Sequence, residues 1–113
     1  MNNIGQLITR FANARIGIIS QGLISNQCRS VVKFFVYQHK PIKDIITADI
    51  VSWLAFLIVT GNKERTIRNS FSEVSAFFYW CHNENIIMKN PFNEVPITIF
   101  NENQEGLNRT KIN

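Results

Sequence analysis

Between residues 63 and 84 the apolar side chains Ile67, Phe71, Val74, Phe78 and Cys81 recur at steps of four, three, four and three. A helix, with its period of 3.6 residues, is the element that gathers such positions onto one side. Phe77 and Trp80 widen the stripe, while Arg65, Arg68, Asn69 and Ser72 fall on the polar side. A helix this two-sided is stable only against partners that cover its apolar face. The rest of the chain has to supply them.

Three further helices are predicted. Ile4, Leu7, Ile8 and Phe11 set a short amphipathic helix over residues 4–14. Residues 25–39 predict a second, with Ser25 as N-cap and Cys28, Val31, Val32 and Phe35 in one stripe. Asn26, Arg29, Ser30 and Lys33 line its other face, and Pro41 ends it. Thr47 is the candidate N-cap of a third helix, with Asp49 in the first turn facing the positive end of the helix dipole. Ile46 can staple onto Val51, and Ile50, Trp53, Leu54, Leu57 and Ile58 make a broad buried face that stops at Gly61. The stretch 15–22 reads as β-like or as a helix continuation, with Gly17 and Gly22 favouring a connection. Beyond the fourth helix, Ile86 and Ile87 turn back onto the core and Pro91 marks a turn. From Asn101 the sequence is polar and without apolar period, which reads as a linker or a disordered end.

These elements predict an all-α bundle of four helices, or five, with one domain over 1–95 and a linker or tail over 96–113. A chain of 113 residues, 45% hydrophobic with nine Phe and two Trp, can build one core but not two.

Charge is uneven. Residues 1–68 carry nine Lys/Arg against three Asp/Glu, whereas 69–113 carry three against five, within a net charge of +4. A basic first half suits a polyanionic partner, and it equally suits plain solvation.

Little points to catalysis. The five Gly are scattered and form no phosphate loop. Cys28 and Cys81 make no CxxC pair, and His39 and His82 have no metal-ligand spacing, so both thiols read as buried and reduced. Asp44 and Asp49 are unconvincing acid–base partners, and Tyr37 and Tyr79 read as packing residues within helices. No cofactor, metal or small-molecule substrate is expected. Arg10 and Arg15 interrupt the early apolar stretch, so no signal peptide is read, and no run reaches the ~20 apolar residues of a membrane span. A cytoplasmic protein is expected. The aromatic stripe Phe71, Phe77, Phe78 and Trp80 fits core packing better than a base-stacking platform.

Four pieces in order resemble the N-terminal core-binding domain of the tyrosine recombinase, or phage integrase, family. They are Gly22-Leu-Ile-Ser-Asn-Gln-Cys-Arg-Ser-Val-Val-Lys-Phe-Phe, Ile46-Thr-Ala-Asp-Ile-Val-Ser-Trp-Leu, Thr66-Ile-Arg-Asn-Ser-Phe-Ser-Glu-Val-Ser-Ala-Phe-Phe-Tyr-Trp-Cys, and Ile86 with Asn90-Pro91-Phe92. Together they cover about residues 4–95. Cys28 stands where the family often has Thr, Val replaces a Tyr near position 31 or 32, and Val74-Ser75 lacks a frequent basic residue.

The resemblance implies a SAM-like orthogonal bundle that, with a catalytic domain, would clamp double-stranded DNA at a recombination half-site. The Arg–Lys–His–Arg set and the Tyr nucleophile of the family belong to that second domain, so this chain alone is expected not to be an enzyme. The parent would be a recombinase active in DNA integration or recombination, with protomer contacts in a tetramer on DNA. The alternative is a non-catalytic helical interaction module that regulates a recombinase. Candidate DNA contacts are Asn26, Arg29, Ser30 and Lys33 on the second helix, and Lys63, Arg65, Thr66, Arg68 and Asn69 at the start of the fourth. The same face logic follows from charge, since a helix N-terminus favours phosphate. For any one of these residues, an ordinary solvated side chain is the competing reading.

Overall fold

A computed structural model describes residues 3–96 as an all-α, four-helix bundle. Helix α1 runs Ile4–Arg15, α2 Gln21–Gln38, α3 Thr47–Val59 and α4 Glu64–Asn83. Short 3₁₀ turns at Ile42–Asp44 and Pro91–Glu94 complete the chain of elements. The expected linker or tail at 96–113 lies, but for Pro96, outside the described residues.

The α4 stripe makes the core. Ile67, Val74, Phe77, Phe78 and Cys81 are all buried, and Phe71 is half-buried beside them. Phe34 of α2 sits at the centre of an aromatic cluster, with ring centroids 5.6 Å from Phe78 and 4.9 Å from Trp53 of α3. Phe11 closes the cluster from α1, edge-on to Phe77 at 5.3 Å. Phe92 of the second 3₁₀ turn lies 5.0 Å from Phe78. Each such ring, taken fully from water, stabilises by about 1.5–3 kcal/mol before edge-to-face gains. Ile87 is buried, so the chain does turn back onto the core after α4.

Helix starts differ from expectation by a few residues. Ser20, not Ser25, caps α2: its Oγ accepts from the Leu23 N–H at 3.2 Å. Gly22 therefore lies inside α2, and the connection shrinks to a tight turn in which Gly17 takes φ +84°. Thr47 is the first residue of α3 rather than its cap, and its hydroxyl donates to the Pro91 carbonyl at 2.8 Å. Asp49 answers the orphan donors of that terminus, accepting from the Ile46 N–H at 2.9 Å. Ile46 thus occupies the cap position, and both it and Val51 are exposed.

The buried faces of α2 and α3 are also rotated. In α2 Ile24, Val31 and Phe34 are buried, Cys28 and Phe35 are half-buried, and Val32 is 48% exposed. In α3 Ile50, Trp53 and Leu54 are buried, whereas Ile58 is 59% exposed. Both helices carry apolar residues on most sides, so spacing alone leaves the buried arc undecided. Gly61 stops α3 as expected: at φ +86° it lets its own N–H and that of Asn62 bond back to the Ile58 and Leu57 carbonyls.

Candidate nucleic-acid interface

The cations of the basic first half do not share one fate. Arg10 lies over the Trp80 ring at 5.6 Å and Arg15 over the Phe11 ring at 5.3 Å. Lys40 is held by Asp49, and Lys43 is exposed on the first 3₁₀ turn. Arg29, Lys33, Lys63 and Arg65 project from α2 and from the start of α4 as exposed side chains. Exposed cations therefore include these four at α2 and the start of α4, with Lys43 and Lys89 exposed outside those helices.

On α2, Asn26, Arg29, Ser30 and Lys33 are neighbours at steps of three and four, the spacing that makes one surface patch. Asn26, Arg29 and Lys33 are exposed, but Ser30 is half-buried and turned toward α4. Its hydroxyl donates to Oε1 of Glu73. On α4, Arg65, Asn69 and Glu73 follow one another at steps of four and form a single ridge. Thr66 and Asn69 are exposed.

These two rows meet. Ser30 touches Glu73, and further along Phe34 and Phe35 touch Phe78, so contacts advance together along α2 and α4. From the Ser30–Glu73 contact, Asn26 lies one turn toward the start of α2 and Asn69 one turn toward the start of α4. The polar row of each helix therefore flanks the same seam, with Arg29 and Lys33 on one side and Arg65 on the other.

Lys63 is the N-cap of α4, and no side chain caps its first N–H groups among the described residues. Two acids complicate the surface. Glu64 occupies the first turn of α4, where it answers the dipole and pairs with Arg68 at 3.5 Å. Arg68 is accordingly half-buried, not an open contact like Arg65. Glu73 sits on the seam itself, and a reading based on cation clusters passes over it. Its position four residues after Asn69 was the available signal.

The two thiols lie away from this face. Cys81 is buried in the core and Cys28 half-buried, both free. Burial pushes the Cys81 thiol up to about 12, against a downward pull from Arg10, and burial raises Cys28 as well. No cluster of three or more His, Cys, Asp or Glu suited to a metal occurs among the described residues. No described helix is long and apolar enough to cross a membrane. Comparison of the chain with family models, with curated proteins and with solved structures finds no significant match.

Proposed function

We propose that this chain is a DNA-binding domain that grips duplex DNA with the paired faces of α2 and α4. The observation that carries the reading is the meeting of two polar rows at one seam, flanked by exposed Arg29, Lys33 and Arg65. Cations in this arrangement suit phosphate oxygens on both walls of a groove, with Asn26 and Asn69 as shorter-reach donors and acceptors. The uncapped N–H groups behind Lys63 and Arg65 favour an anion for the same reason. The resemblance to the core-binding domain of tyrosine recombinases supplies the wider setting. There the domain would be SAM-like, act in the cytoplasm, and form half of a clamp on a recombination half-site. The partner catalytic domain would cut and rejoin the strand through a phosphotyrosine.

Half a clamp binds weakly, on the order of 10⁻⁴–10⁻⁶ M and with strong dependence on salt. Fluorescence anisotropy against a labelled duplex, titrated at low and moderate salt, tests this directly. Absence of binding at low salt sinks the reading.

One feature favours a second reading, a helical interaction module that pairs with an intact recombinase. Phe56, Ile58 and Val59 of α3 are exposed, Val59 to 83%. A helix apolar on so many sides is ordinarily covered. Co-migration of this chain with a full-length recombinase on size exclusion, in the absence of DNA, would support that reading over the first.

A further inference from the structure

Glu73 is out of place on a surface meant for phosphate. It lies where the two polar rows converge, and the Coulomb cost of a carboxylate facing a polyanion has to be offset by a donor. Ser30 supplies one donor to Oε1, which fixes the side chain against α2 and leaves Oε2 as an acceptor. Duplex DNA offers few donors to such a group. In the major groove cytosine presents its N4 amine, while the adenine amine stands beside the N7 acceptor, which repels a carboxylate. Resting on the DNA-binding reading above, we propose that Glu73 is a base-reading residue that selects cytosine in the major groove. Ser30 is its positioning residue, and the flanking cations hold the backbone.

The role predicts more than a loss. A glutamine in place of Glu73 would be isosteric and would still accept from the Ser30 hydroxyl, but its amide matches the N6/N7 edge of adenine. Glu73→Gln should therefore move the preference from cytosine to adenine at one position. Removing a negative charge should also raise affinity for unrelated duplexes. Ser30→Ala removes the tie to α2 but keeps the carboxylate, so it should weaken the cytosine preference without converting it.

The test is selection of bound duplexes from a randomised library by the full chain at low salt, read by sequencing. Wild type, Glu73→Gln and Ser30→Ala are run in parallel, and circular dichroism confirms that each is folded. The expected result is one position where wild type enriches cytosine about fivefold or more over the other bases. Glu73→Gln should enrich adenine there. Wild type and Glu73→Gln binding with the same base profile would overturn the proposal, making the Ser30–Glu73 bond only a tie between helices, while leaving the DNA-binding reading intact. No enrichment of any duplex by wild type, together with no anisotropy change, would overturn both.

Discussion

The ammonium of Lys40 lies 3.0 and 2.9 Å from the two carboxylate oxygens of Asp49, joining the end of α2 to the start of α3. Partial burial raises the Asp49 pKa, but the Ile46 N–H and the Lys40 charge outweigh it and hold the group below its ordinary 3.8. Stability from this group is therefore present above the ordinary carboxylate value and is lost as pH falls through the lower folded value. Asp49→Asn should cost about 1 kcal/mol at neutral pH. Denaturant titrations of both proteins from pH 7 into the acid range should show that gap closing. A constant gap would mean that the amide disturbs packing rather than charge.

Phe78 is fully buried between Phe34, Phe35 and Phe92. Phe78→Ala should cost about 3–5 kcal/mol, a large share of the stability of a domain this size. Urea unfolding monitored by circular dichroism measures it.

Gly61 stands at φ +86° with open space where a Cβ would lie. Gly61→Ala should therefore cost about 1 kcal/mol, all of it from backbone conformation. A thermal melt that drops much further than this implies would show contacts formed at the α3–α4 corner.

Cys81 should resist modification in the folded protein. With a pKa of about 12 only about one thiol in ten thousand is thiolate at pH 8, and the side chain is fully buried. Alkylation followed by mass spectrometry should label Cys28 well before Cys81, and denaturant should equalise them.

For the proposed DNA face, Arg29→Ala/Arg65→Ala should weaken binding and flatten its salt dependence by roughly one unit of log–log slope per cation. Lys89 lies beside Ile45, Ile46 and Thr47 at the start of α3, and Lys40 is committed to Asp49. Lys40→Ala/Lys89→Ala removes the same charge from outside the seam. Equal losses from the two pairs, measured by anisotropy at several salt concentrations, would mean that net charge alone drives binding.

The apolar period of α4 and the stop at Gly61 belong to the sequence by itself, because helical spacing and a glycine at positive φ are local properties of the chain. Which side of α2 and α3 is buried was decided only by the tertiary structure. Those helices offer apolar residues around most of their circumference. Packing buries Phe34 fully against Trp53 and Phe78, half-buries Phe35 against Phe77 and Phe78, and leaves Val32 and Ile58 in water. The candidate face divides in the same way. Arg29, Lys33 and Arg65 are exposed as their polar spacing suggests. Ser30 and Arg68 share that spacing, yet each is taken up by a carboxylate, Glu73 from another helix and Glu64 from the preceding turn. Periodicity sets the angle between residues on one helix. The angle between helices, and so the partner of each polar side chain, comes from how their buried faces pack together.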